Sequence, residues 1–563
     1  MNNDPSLKKT LSRREFIRKS TMGIVGAAMF PSFLEKSNIL AKTTKPLLFK
    51  PFPHPWMPPL NFVYAADTNG DPFQSGIVVN GDGIVVPEDL GTRRFSVNCQ
   101  WFIEGFGNCF LSADNDGKFY SLKEMTGRNE LILNQEFARS RIARNRQVMR
   151  RYQAQGTKFS PEVIRLSGLA EEYLEDSAKH TAESEKCASL ADKALYYALW
   201  TGENIELEHA RQMISKNNRQ DEVYFGCESR QYVWAKNEEF TKRFVELFNF
   251  ATVTHYIWDT WYELFEPREG VYNWGIKDNI VRWLTEKNIT IEGRPLFWFH
   301  PTVTPEWLKS KNYDQLRSYV DKHISDVVGH YGDQVLHWEV INEYHDWANI
   351  FNHTPDQITE IVRQVCDKTH EINPKVDRLI NNCAPWGEYV ARGRMARMEA
   401  TRPLRTPHQF ITDLLDAGVE FDTLGIQIYF GNRDLSDIMR MLERFEKFGK
   451  PIYITEIGTT SGPTFETVVD RSMGISGKPY DWHRAWDEEL QADWLEQVYT
   501  LYYSRLNIKA INWYDFSNFR PFIVNGGLVT ESCEPKQSFY RLKELLSSWN
   551  RLPQNTKKIG KEE

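Results

Sequence analysis

From position 222 onward, short apolar runs alternate with longer segments whose apolar residues recur at helical spacing. Eight runs read as strands: residues 223–227, 250–254, 295–299, 335–342, 378–382, 424–429, 452–456 and 509–513. Amphipathic helical stretches follow them, as at 237–247, 315–330, 435–448 and 490–505. Eight βα units in sequence predict an α/β fold: a (β/α)8 TIM barrel over residues 222–550, with its chemistry at the carboxyl ends of the strands. A doubly wound sheet would need a Gly-rich phosphate turn after its first strand, and none follows Cys227.

The pattern differs upstream. Residues 46–133 carry short apolar runs split by Gly, Asp and Asn, which predicts a small β-sandwich-like domain with a carbohydrate-binding role as one expectation. Trp101, Phe102 and Phe106 are its candidate stacking platform, with sandwich core as the plainer reading. Residues 134–221 change to helical spacing, a connecting region with no legible chemistry, and 551–563 reads as a flexible tail.

At the amino terminus, Ser12-Arg13-Arg14-Glu15-Phe16-Ile17-Arg18-Lys19 precedes a Gly/Ala-rich apolar stretch from Thr21 to Phe30. Paired arginines before a run too short to span a bilayer of about 30 Å resemble a twin-arginine signal peptide. It occupies residues 1–41, with cleavage expected near Ala41 and export to the periplasm or beyond. No later segment has the length and apolarity of a membrane span.

Composition narrows the function classes. Of 563 residues, 41% are hydrophobic and 26% charged, enough apolar matter for large cores. A net charge of −7 gives no electrostatic reason to bind nucleic acid or anionic membranes. Eighteen tryptophans and 24 tyrosines suit a cleft that stacks flat, hydroxyl-edged ligands. The seven cysteines include no CxxC pair, and no His/Cys cluster has zinc spacing, so no metal is predicted. Whether Cys99 and Cys109 pair is left open by their spacing.

Two glutamates end apolar strands. Glu343 closes the fourth, after Asn342, and Glu456 ends the seventh. In a closed barrel of eight strands these positions lie nearly opposite, so two rim carboxylates can face each other across the cleft. A carboxylate there is costly to bury unless it has a partner or a task. Such a pair fits glycoside hydrolysis, one glutamate protonating the leaving oxygen while the other attacks or activates water. That chemistry needs no cofactor.

These residues resemble glycoside hydrolase family 10, the endo-β-1,4-xylanase type. Trp338-Glu339-Val340-Ile341-Asn342-Glu343 looks like the family's W-D-V-V-N-E acid/base segment, and Ile454-Thr455-Glu456 like its I-T-E-L nucleophile segment. Further pieces fall in order: Phe225-Gly226, Phe248-Asn249, Glu266-Pro267, Phe299-His300 before Pro305 and Trp307, Gly425-Ile426-Gln427, Trp513 and Gly526-Gly527-Leu528. The resemblance implies Glu343 as general acid/base, Glu456 as nucleophile and retention of configuration. It implies sugar contacts from Asn342, His300 and Gln427, with Trp513 as an apolar wall.

Three departures stand out. His255 and Trp258 occupy the segment where the family offers E-N-x-M-K-W. Tyr429 stands where Gln-x-His would place the histidine that orients the nucleophile, and Asn381-Asn382 replaces an Asn-Asp pair. His255, Trp258 and Tyr429 are therefore expected to line an altered pocket. The expected partner is a xylan-like polysaccharide. A cellulase- or mannanase-like activity and a catalytically silent sugar-binding role are the alternatives.

Overall fold

The computed structural model describes residues 46–553 except 56, 58, 59, 61, 91, 92, 126–128, 218, 220, 236, 237, 260–263, 430 and 463–481. The twin-arginine segment and nearly all of the expected tail lie outside the described residues.

Strands apolar on both faces need cover on both faces, and closure into a barrel inside a ring of helices supplies it. Eight parallel strands close in chain order: β1 (Tyr224–Glu228), β2 (Phe250–Thr254), β3 (Thr290–Arg294), β4 (His337–Asn342), β5 (Asp377–Asn382), β6 (Thr423–Tyr429), β7 (Ile452–Gly458) and β8 (Ile508–Trp513). At the amino-terminal end of the strands, Tyr224, Phe250, Leu379, Tyr453 and Ala510 form an apolar plug, with Tyr224 stacked on Phe250 at 4.8 Å. Outside, helix residues such as Leu316, Ile324, Ile361 and Leu442 pack on strand residues such as Val253, Ile341 and Ile454.

One strand lies elsewhere than the apolar pattern predicts. The third is residues 290–294, not 295–299, because its inward side chains are polar. Glu292 and Arg294, two apart and so on one face, are both buried. Opposite-parity Gly293 pairs in register with Trp338, whose indole occupies the space a Cβ would need. The apolar run after it supplies the approach to the rim.

Before the barrel, two four-stranded sheets share a core with helices. The first joins Val78–Asn80, Gly83–Val86, Leu47–Lys50 and Glu130–Ile132; the second is antiparallel and joins Pro72–Phe73, Tyr64–Ala66, Ser96–Ile103 and Gly107–Ala113. Leu47, Phe49 and Ile84 of one sheet and Val97, Cys99 and Trp101 of the other pack in one cluster. Helices α1 (Leu133–Ala154) and α3 (Ser184–Asn217) complete that cluster, with α2 (Pro161–Lys179) beside them. Trp101, Phe102 and Phe106 are buried to 1% exposure or less, and Trp101 and Phe106 belong to the core cluster, so the three form no exposed stacking platform. Cys99 lies opposite Leu111 and Cys109 opposite Trp101, and all seven cysteines are free thiols.

Buried charge joins this region to the barrel. Arg141 of α1 pairs with Asp434 at 2.7 Å, both nearly inaccessible. Glu203 of α3 accepts from the Leu435 backbone at 3.1 Å and pairs with His483 at 2.9 Å.

Candidate active site

Each rim glutamate lies at or just past an irregularity in strand pairing. Pairing of β4 with β5 slips between Glu339 and Ile341, and that of β6 with β7 between Ile426 and Gln427. Such bulges re-aim side chains beside active sites. Glu343 itself sits at φ 56°, a left-handed backbone that a non-glycine residue adopts at a cost of about 1–3 kcal/mol. Its N–H donates to the Asn381 carbonyl at 2.9 Å, which holds that conformation.

The structure brings both glutamates to one site. Glu343 accepts from the Trp298 indole N–H at 2.8 Å through one oxygen and from Gln427 Nε2 at 2.9 Å through the other. Gln427 also donates to Asn342 Oδ1 at 3.2 Å. Asn381 links the pair: its carbonyl takes the Glu343 N–H, and its Nδ2 donates to Glu456 Oε1 at 3.2 Å. Glu456 is further held by an ion pair with Arg294 and a hydrogen bond from the Tyr429 hydroxyl.

Electrostatics separate the two carboxyls. Burial and then the charge of Glu456 push Glu343 up to about 7, against the opposing pull of its two donors. Around Arg294 stand two more buried acids. Glu292 has no hydrogen-bond partner among the described residues, and burial pushes it up to about 8. Glu339 accepts from Asn381 at 2.9 Å and lies 3.3 Å from Arg294 Nε, yet burial drives it well above the carboxylate range. Protons on these two acids leave the guanidinium charge to Glu456.

The sequence matches the profile of glycosyl hydrolase family 10 over residues 214–543, more than half of the chain. The chain belongs to glycosyl hydrolase family 10. A Beta-1,4-xylanase of Dictyoglomus thermophilum is 27% identical over 205 residues, 35% of this chain and 53% of that protein. Endo-1,4-beta-xylanase B of Thermotoga neapolitana is 22% identical over 303 residues, 51% and 78% of the two chains. The chain thus spans about half the length of the first of these relatives. Among solved structures, native xylanase 10B of Thermotoga maritima is similar at 19% identity and a TM-score of 0.45, covering 60% of this chain and 98% of that one.

Of the residues expected to bind sugar at this family-10 site, Asn342, Gln427 and Tyr429 touch one or other glutamate or its partners. His300 stands one layer back. Its ring stacks on Trp298 at 4.6 Å and its Nδ1 pairs with the Thr302 hydroxyl at 2.7 Å. Burial lowers it to about 3, so the imidazole is neutral. Trp258 is half-buried on the loop after β2, its backbone N–H bonded to the Val303 carbonyl at 3.2 Å.

Two expectations are corrected. His255 lines no pocket: it is fully buried toward the helices, bonded to the Val253 carbonyl at 2.7 Å and the Tyr331 hydroxyl at 3.2 Å. Trp513 is no cleft wall: it is fully buried behind β8, with its indole N–H on the Gly526 carbonyl at 3.0 Å and Trp494 at 6.2 Å. Strand alternation explains both, since neighbouring residues face opposite ways. Tyr256, one step past His255, lies 5.1 Å from Trp298 within the field of Glu456. Tyr514, one step past Trp513, meets Tyr429 edge-on at 5.8 Å and accepts from Arg230 at 3.1 Å. Arg294, Trp298, Tyr256 and Tyr514 were missed.

Proposed function

We propose that the protein is an exported, retaining β-1,4-glycanase acting on xylan or a closely related polysaccharide. The observation that carries this reading is the division of labour between two glutamates at one site: Glu343 raised to about 7 beside the charge of Glu456, and Glu456 clamped by Arg294 and Tyr429. Glu343 donates its proton to the glycosidic oxygen as that bond breaks, while a Glu456 oxygen bonds to the anomeric carbon. Esterification removes the negative charge on Glu456, the second-largest influence holding the Glu343 proton. Glu343 then takes a proton from water, and that water attacks the ester from the face the leaving group vacated. Two inversions give net retention. Asn342, oriented by Gln427, is placed to hydrogen-bond a sugar hydroxyl at this site.

The relatives named as xylanases and the xylanase-type segments around both glutamates support xylan as the substrate. The test is a panel of xylan, arabinoxylan, glucuronoxylan, mannan and β-glucan, with the anomer of the first product read by NMR. Fastest hydrolysis of a xylan with a β product is expected; preference for mannan or β-glucan moves the assignment to that polymer, and an α product refutes retention. Glu456→Ala is expected to lose several orders of magnitude in turnover and to recover part of it with azide, which fills the vacated carboxylate position. Export rests on the twin-arginine pattern of residues 12–19.

A further inference from the structure

A cavity of about 720 Å³ opens in the region before the barrel. Its lining runs from Pro51 to Tyr197, entirely ahead of residue 214, where similarity to the catalytic family begins. No part of the catalytic fold builds it.

Its walls are aromatic. Tyr173 of α2 and Tyr197 of α3 lie almost parallel, with ring centres 5.6 Å apart and planes 11° off. Tyr196 stands edge-on to Tyr197 at 78°, with ring centres 5.1 Å apart. All three rings are half-buried, packed on the amino-terminal core while also bordering the cavity. The core therefore fixes their orientation before any ligand arrives. Phe102 and His54, edge to face at 5.2 Å, close the opposite side.

The edges are polar. Glu104, Glu185 and Asp192 border the cavity together with Lys193. A pyranose ring has apolar C–H faces and a rim of hydroxyls. Flat rings for the faces and carboxylates for the rim are the groups that bind it. Glu104 and Glu185 outnumber the one ammonium, and Asp192, which burial pushes up to about 7, adds no cation, so phosphate, uronic acids and other anions are disfavoured. A lipid tail would desolvate Glu104 and Glu185 further.

We propose that this cavity is an accessory binding site for a neutral oligosaccharide, a stretch of the polymer that the barrel hydrolyses. The identity of that polymer rests on the reading under Proposed function; the site itself does not. Binding here keeps the enzyme on a polysaccharide chain between catalytic events, so the effect falls on polymers and not on short substrates.

The experiment uses the full-length protein carrying Glu456→Ala, titrated calorimetrically with xylohexaose, cellohexaose and mannohexaose. Two binding events are expected with one of these sugars. Adding Tyr197→Leu, which keeps apolar bulk against the core but removes a ring face, is expected to weaken one event roughly tenfold. Adding Ser189→Trp, at an exposed lining position, is expected to abolish the same event by filling the cavity. In otherwise wild-type enzyme, either substitution should reduce binding to insoluble polymer while hydrolysis of a short soluble glycoside stays unchanged. A single event untouched by both substitutions overturns the proposal. Two events with cellohexaose or mannohexaose alone uphold the site and move the polymer assignment instead.

Discussion

Replacing Glu343 with glutamine tests the electrostatic basis of the site without requiring turnover. The carboxyl is raised from 4.5 to about 7 in the folded protein. At about 1.4 kcal/mol for each pH unit, that displacement corresponds to about 3 kcal/mol against the folded state once the group is ionised. The sign follows from which state holds the proton. Below 4.5 both states are protonated and the cost vanishes; between 4.5 and 7 only the unfolded chain ionises, so stability falls; above 7 the full cost applies. Glutamine mimics the protonated acid and never pays it. Its amide cannot accept from both Trp298 and Gln427, which subtracts about 1 kcal/mol at every pH. The diagnostic quantity is therefore the change in the mutant-minus-wild-type difference between pH 4.5 and pH 8, expected at about 3 kcal/mol in favour of Glu343→Gln. With about 2.1 cal/mol/K of unfolding entropy per residue, the ordered chain converts this to a relative Tm gain of about 3 °C. Thermal melts at the two pH values measure it. A difference that does not change with pH, or a wild type that gains on the mutant at pH 8, refutes the assignment of a displaced acid at position 343.

The same displacement predicts that kcat/KM falls above about pH 7, where Glu343 loses the proton it must donate; a plateau extending past pH 9 contradicts it. Tyr429→Phe removes the hydroxyl that donates to Glu456 while keeping the ring against Phe522, so kcat is expected to fall roughly tenfold with Tm unchanged, and undiminished kcat means the hydroxyl is idle. For export, Arg13→Lys with Arg14→Lys is expected to leave the precursor in the cytoplasm on fractionation, and normal secretion of that variant rules out the twin-arginine route.

Much of the barrel was readable because its outward residues obey a simple rule. Runs such as Ile452-Tyr453-Ile454 and Leu424-Gly425-Ile426 bury both faces, and periodicity detects burial. The third strand escaped because Glu292 and Arg294 put charge where a barrel interior is ordinarily branched and apolar. The glutamates stood out because Glu343 and Glu456 end strands that admit few other charges. Their neighbours were harder to place. The family resemblance names Trp513 and His255 as expected sugar contacts, but only side-chain direction shows that they face the helices. Nor did sequence reveal that α1 and α3 complete the amino-terminal core, since tertiary packing alone decides which sheet an amphipathic face covers.

Tyr429 brings a hydroxyl to Glu456, and the cation beside that carboxylate comes from the third strand. Arg294 enters from β3 with Glu292 and Glu339 beside it, and one guanidinium cannot balance three buried carboxylates. Desolvation decides among them. Glu292 has no donor within reach among the described residues and burial pushes it up to about 8; Glu339, with a single amide donor and a guanidinium nitrogen at 3.3 Å, is driven by burial well above the carboxylate range. Glu456 collects Arg294, Tyr429 and Asn381. Burial, and after it the charge of Glu456, holds the proton on Glu343. An arginine cannot give up its charge near neutral pH as a histidine can. Glu456 is therefore tied to a fixed cation.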